Sequence, residues 1–222
     1  MPWGMKNYTI QLFGSSAIEG RLGVETAAER WYELMRSQLC EMFPATCFAI
    51  YNGAVGGESI RELMAHFDSD LEGHTPDLCI AMFCWNNFVL EDGMKRFVPV
   101  DEQKALMEKF AERLPKRTKV VGVISQPMID RCHYTYHDHA YDEVRAKYGG
   151  VNAFHDIERE LSRAFFREHG MPYLDLSAVM GAETEKYVLS SDGIHFTPEG
   201  HSLFAKEMCR LLHDILAEDG CR

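Results

Sequence analysis

The sequence predicts a three-layer α/β/α sandwich built on a five-stranded parallel sheet. Three observations carry that expectation. Short apolar, β-favouring runs alternate along the chain with longer stretches of helical period, the pattern of repeated β-α units. The run Leu78 to Trp85 is apolar without a break, as a strand covered on both faces should be. No internal repeat, low-complexity tract or linker divides the 222 residues, a length that suits a single α/β domain spanning residues 1–222.

Each element follows in order. Tyr8 to Phe13 is the first strand and stops at Gly14. Val24 to Cys40 places Ala27, Ala28, Trp31, Leu34, Met35 and Leu39 at helical spacing. Thr46 to Tyr51 is the second strand, ended by Asn52-Gly53, and a short helix runs from about Glu58 to Phe67. Asp77 to Cys84 is the third strand, followed by a helix over Asp101 to Leu114 that Pro115 stops. Lys119 to Ile124 is the fourth strand, and Asn152 to His169 a helix closed by Gly170. Pro172 to Leu176 is a short fifth strand. Pro198 to about Ala217 is the last helix, with Pro198 at a first-turn position. In such a sheet, ligands bind beyond the carboxyl ends of the strands, so chemistry is expected just after each one.

Composition narrows the function classes. Hydrophobic residues make up 46% and charged residues 26%, as in an ordinary globular protein. The formal net charge of -11 repels phosphate backbones and anionic lipid heads, so nucleic acid and acidic membranes are disfavoured as partners. No apolar run approaches the roughly 20 residues of a membrane span. The opening Met1-Pro2-Trp3-Gly4 shows neither the basic nor the apolar region of a signal peptide. The seven cysteines are scattered without a C-x-x-C pair, and several sit in apolar runs. A reducing, cytoplasmic setting is expected.

Two segments stand out chemically. After the first strand comes Gly14-Ser15-Ser16-Ala17. A serine at a tight strand-to-helix turn exposes its hydroxyl and points a backbone N–H toward the same spot. An N-cap or turn serine is the ordinary alternative. Near the C-terminus stands Ser191-Asp192-Gly193-Ile194-His195-Phe196-Thr197-Pro198-Glu199-Gly200-His201. Asp192 and His195 are three apart on a loop before the last helix, and Gly193 permits the turn that folds the carboxylate back to the imidazole. One short segment thus supplies a base and its orienting acid, the pair a serine nucleophile requires.

At these residues the chain resembles the SGNH (GDSL-like) hydrolases, whose first block reads G-D-S and whose last reads D-x-x-H. Asn52-Gly53-Ala54-Val55-Gly56-Gly57-Glu58-Ser59, after the second strand, resembles the family's glycine block, with Gly57 as that glycine and Gly56 as the neighbouring alternative. Cys84-Trp85-Asn86-Asn87, after the third, resembles G-x-N-D, with Asn86 as its asparagine. Ser15 replaces the family's Asp in the first block, Cys84 the Gly of the third, and Asn87 its Asp. The G-x-S-x-G elbow of α/β-hydrolases is absent around Ser16. The resemblance implies the flavodoxin-like SGNH hydrolase fold. It implies a Ser16, Asp192, His195 triad and an oxyanion hole of the Ser16 N–H, the Gly57 N–H and the Asn86 side-chain amide. It calls for no metal and no cofactor.

The expected activity is hydrolysis of a small-molecule carboxylic ester through an acyl-serine intermediate, with a small acyl group such as acetate on a carbohydrate or other polar alcohol. Acyl transfer by the same triad, a lysophospholipase or thioesterase-type activity, and a non-catalytic binding module are the alternatives. Cys132 to His139 is rich in possible metal ligands, with His133 and His137 four apart as on one helix face. No matched second cluster stands elsewhere, so the stretch Gln126 to Gly150 is expected as a loop forming a pocket wall or lid. Phe88 to Val100, with Lys95 and Arg96, is expected as another wall. Lys116 to Lys119 is too short a basic run for nucleic-acid binding.

Overall fold

The computed structural model describes residues 4–84, 86–90 and 96–222. Five strands, β1 (Lys6–Phe13), β2 (Thr46–Asn52), β3 (Leu78–Ala81), β4 (Lys119–Ile124) and β5 (Tyr173–Asp175), form one sheet. Its order is β2-β1-β3-β4-β5, and every neighbouring pair is parallel. This is the flavodoxin-like arrangement. The helices used below are α1 (Ser16–Glu19), α2 (Trp31–Met42), α3 (Ile60–Asp70), α4 (Val100–Arg113), α5 (Tyr134–His137), α6 (Asp142–Tyr148), α7 (Val151–Glu168), α8 (Leu176–Met180), α9 (Thr184–Tyr187) and α10 (Pro198–Glu218).

The two-residue period of the strands makes the layers. Ile10 and Leu12 of β1, Leu78 and Ile80 of β3, and Val121 and Val123 of β4 enter one core, with Trp31 and Met35 of α2 and Phe204 and Met208 of α10. Cys79 and Ala81 of β3 and Val120 and Ile124 of β4 enter the other, with Leu63 and Phe67 of α3, Phe110 of α4 and Phe166 of α7. Both faces of the sheet are therefore covered, which is why the strands read as continuous apolar runs. No helix among the described residues is long and apolar enough to cross a membrane.

The expected boundaries hold to within three residues, except at the second helix and over residues 126–150, and the third strand is shortened. The helix expected from Val24 begins only at Trp31. Thr26 and Glu29 form a capping box that closes a separate 3-10 turn, and Arg30 is extended at φ -63, ψ 141. Ala27 and Ala28 favour helix but are exposed, so nothing packs to extend it. Trp31 instead stacks on Phe204 at 4.0 Å and donates its backbone N–H to His201 Nδ1. The third strand ends at Ala81 rather than Cys84. Residues 82–84 stay buried but run past the end of the β3–β4 pairing, so burial continues where the ladder stops. Residues 126–150 are not a loop: turns at Asp130–Cys132 and His139–Tyr141 alternate with α5 and α6.

Candidate active site

The parallel order places the ends of β2, β1 and β3 side by side at the point where the winding of the sheet reverses. Ser15 is the extended residue before α1 (φ -111, ψ -153), and Ser16 is the first residue of that helix. The N–H of Ser16 therefore has no acceptor within the helix.

The Asp192–His195 loop is a closed local unit. An antiparallel bridge between Val188 and Phe196 joins its ends, and Leu189 exchanges backbone bonds with His195 and Gly193. Asp192 Oδ1 accepts the backbone N–H groups of Ile194 and His195 at 2.9 and 3.0 Å, leaving Oδ2 for His195 Nδ1 at 2.9 Å. The other ring nitrogen, Nε2, lies 2.8 Å from Ser16 Oγ. Burial pushes the Asp192 carboxyl up, but the hydrogen bonds from the His195 ring and the two backbone N–H groups outweigh it and hold it at about 2. Gly193 has φ +78, and a Cβ there would stand 2.5 Å from the carbonyl oxygen of Ile129, so no other residue fits. The exit of β4 clamps this loop: Ile129 N–H donates to Gly193 O at 2.8 Å and Gln126 Nε2 to Ile194 O at 2.5 Å.

The facing half comes from the ends of β2 and β3. Val55 to Glu58 form a turn closed by Glu58 N–H to Val55 O, with Gly57 at φ +88, where a glycine is favoured. The turn is seated against the serine, for a methyl group on Gly56 would lie 3.6 Å from Ser16 Cβ. Asn86 is the one non-glycine residue with positive φ (60°) among the described residues. Its Nδ2 donates to Ser15 Oγ at 2.6 Å and to Glu58 O at 3.1 Å, so the amide lies between the first and second blocks.

Asn87, where the family has Asp, is fully buried and holds three segments together. Its Oδ1 accepts Ile60 N–H at the start of α3, and its Nδ2 donates to Phe83 O and to Glu158 Oε1 at 2.7 Å. Glu158 Oε2 is 2.6 Å from His155 Nδ1, also within the core. Cys84, where the family has Gly, is buried 3.4 Å from Ser162 Oγ, and burial pushes its thiol up to about 11.

One expectation changes. His133 and His137 do not share a face: His133 is buried with Nδ1 2.7 Å from Thr135 Oγ1, whereas His137 is exposed and reaches Arg131 O. The reason is that α5 begins only after His133, which is an extended residue, so the two are not one helical turn apart. Burial pushes the His133 imidazole down to about 4. Arg96 donates to Gly57 O at 2.7 Å and to Glu62, so it buttresses the glycine turn. Lys95 and Trp85 lie outside the described residues. Among the described residues, no three His, Cys, Asp or Glu stand together as a metal site.

Sequence reading misses Gln126, Ser15 as a partner of Asn86, and the His155–Glu158 pair. A signal for the last exists: His155, Glu158, Arg159 and Ser162 repeat at helical spacing on the buried face of α7, where polar residues are out of place.

A family model described as GDSL-like lipase/acylhydrolase matches residues 12–203. Among solved structures, the chain is similar to a lipase/acylhydrolase from Enterococcus faecalis, with a TM-score of 0.72, 17% identity, and 92% of this chain and 95% of that one covered. It is also similar to Axe2, an acetylxylan esterase from Geobacillus stearothermophilus (TM-score 0.69, 16% identity, 94% and 96% covered). An alpha/beta hydrolase enzyme from the metagenome of Lake Arreo gives a TM-score of 0.69 at 19% identity, with 96% and 95% covered. No curated protein matches the sequence. At these identities the structural neighbours establish the fold, and the family match, over most of the chain, establishes descent: the chain belongs to the GDSL-like lipase/acylhydrolase family, a family of ester hydrolases.

Proposed function

We propose that the protein is a serine esterase with Ser16 as nucleophile, His195 as general base and Asp192 as the acid that orients it. The observation that carries this reading is the unbroken hydrogen-bond line from Ser16 Oγ through both nitrogens of His195 to Asp192, at 2.8 and 2.9 Å. Ser16 Oγ attacks the ester carbonyl as its proton passes to His195 Nε2, and Asp192, ionised with its low pKa, steadies the imidazolium. His195 then protonates the departing alcohol, leaving an acyl-serine. Water gives a proton to the same nitrogen, attacks the acyl carbon and releases the carboxylic acid and free Ser16.

The oxyanion of each tetrahedral intermediate is met by the Ser16 N–H, the Gly57 N–H and the Asn86 amide. Both Asn86 amide hydrogens are engaged, so an arriving oxyanion takes over the one donated to Ser15 Oγ. A charged acceptor outcompetes a neutral hydroxyl for the same donor. The proposed substrate is a small acyl group, such as acetate, on a carbohydrate or other polar alcohol. The fold shared with an acetylxylan esterase supports that choice.

The test is a chain-length series of p-nitrophenyl esters with wild type and Ser16→Ala, alongside fluorophosphonate labelling. Turnover is expected to be highest for acetate, abolished in Ser16→Ala, and matched by one adduct on Ser16. Turnover that survives Ser16→Ala overturns the mechanism, and a maximum at long acyl chains overturns only the substrate class.

A further inference from the structure

Away from the Ser16–His195–Asp192 line, one imidazole is held between two carboxylates. His66, in α3, has Nε2 2.8 Å from Glu58 Oε2 and Nδ1 2.6 Å from Asp70 Oδ2. A carboxylate only accepts, so both contacts are hydrogen bonds at once when both ring nitrogens carry hydrogen and His66 is an imidazolium. Burial opposes that charge, but the hydrogen bonds to Glu58 and Asp70 outweigh it and raise the pKa above the usual imidazole value.

What the imidazolium holds is the second block. Glu58 is fastened at both ends, its carboxylate by His66 and its backbone carbonyl by Asn86 Nδ2 at 3.1 Å. Its N–H closes the turn that contains Gly57. Asp70 reaches the other end of the same segment, since a methyl group on Gly53 would stand 2.6 Å from Asp70 Oδ2. His66 thus ties the Glu58 end of this stretch to α3, and its other partner, Asp70, packs beside Gly53. Other polar groups near this cluster include Gln11 of β1, which bonds His74, Glu62, one helical turn before His66 and engaged by the Ser59 N–H and Arg96, and the paired Glu19 and Arg21, which face Gly56.

We propose that protonated His66 is a positioning residue for this site, fixing Glu58 so that its carbonyl keeps Asn86 and the Gly57 turn in register with Ser16. The proposal rests on the esterase reading of Ser16 and Asn86. The sign of the pH effect follows from the raised pKa. Below it both bonds are made. As pH rises through it, a neutral ring donates from one nitrogen only and turns a lone pair toward the other carboxylate. The oxyanion half then loosens, and kcat falls on the alkaline side.

The experiment pairs kcat against pH for p-nitrophenyl acetate with an NMR titration of the His66 ring and the Asn86 side-chain amide. The expected result is that His66 titrates above a free imidazole, that the Asn86 amide shifts with the same midpoint, and that the alkaline limb of kcat shares it. His66→Gln should lower kcat at neutral pH by about three- to tenfold and lose that limb and the linked Asn86 shift. Glu58→Gln, which keeps the carbonyl, serves where His66→Gln fails to fold and should uncouple Asn86 in the same way. An Asn86 amide that stays flat while His66 titrates, or an alkaline limb unchanged in both variants, overturns the proposal. The NMR arm needs no turnover, so it still decides if Ser16 proves not to be the nucleophile.

Discussion

The two halves of the site are built on different plans. The half that carries Asp192 and His195 is made from its own residues: the carboxylate caps two backbone N–H groups two and three positions ahead and then meets a ring on the same turn. Gln126 and Ile129 lend it hydrogen bonds from outside. The half that carries Gly57 and Asn86 is assembled from remote segments. Ser15 and Glu58 take the Asn86 amide, while Ile60, Phe83 and Glu158 fix the adjoining Asn87. It holds Asn86 at a positive φ, a conformation that persists only where the surroundings impose it. A local unit keeps its geometry when its neighbours change. A distributed one depends on every partner.

The largest effect expected from this difference falls on the local half. Asp192→Asn should lower kcat about 10⁴-fold with the fold intact, because an amide oxygen still accepts the two backbone bonds while the imidazole loses its anionic partner. Steady-state kinetics with circular dichroism check it, and retention of more than about a tenth of wild-type kcat would remove Asp192 from the triad. On the distributed half, Asn86→Ala should lower kcat about a hundred- to a thousandfold with little change in KM. A change confined to KM would show that the amide contacts the substrate in its ground state only.

Smaller effects sharpen the contrast. Asn87→Leu takes the acceptor from the Ile60 N–H and one of the bonds from the buried Glu158 carboxylate, which keeps His155, so it should cost about 2–4 kcal/mol of stability in a denaturant melt. Thr197→Ala, which removes the cap of α10 and the hydroxyl's bond to Lys186 O, should cost about 1 kcal/mol. Equal losses from the two would abolish the distinction. Ser15→Ala should keep kcat within about threefold of wild type, since in the proposed mechanism the hydroxyl is only the resting acceptor for an amide that the oxyanion takes over. A dead Ser15→Ala beside an active Ser16→Ala would move the nucleophile by one residue.

The smallest effect is on the pH dependence of stability. The Asp192 carboxyl is held at about 2, below its unfolded value, so its bonds contribute fully above the unfolded value and are lost as pH falls toward 2. The difference in melting temperature between wild type and Asp192→Asn should therefore shrink over that acid range. A difference that stays constant would mean that Asp192 gains nothing from its charge.

Much of this was legible from residues alone, for a common physical reason. The β-α alternation, the doubly covered third strand and the bounds of β4 follow from hydrophobic periodicity, which depends on neighbours in the chain. The Asp192–His195 pair was legible because a three-residue turn around a glycine brings acid to base without help from elsewhere. What only the tertiary structure decided is everything that depends on a partner distant in sequence. Two exposed alanines could not carry the second helix back to Val24 once Trp31 docked on Phe204. His133 is buried and His137 exposed because α5 begins between them. The Asn86 amide turns to Ser15 and Glu58, Asn87 reaches Glu158 in α7, and His66 bridges Glu58 and Asp70, because folding brings those groups within hydrogen-bond distance. Periodicity records which face of an element is buried, but a hydrogen bond of 3 Å between segments far apart in the chain leaves no trace in either segment alone.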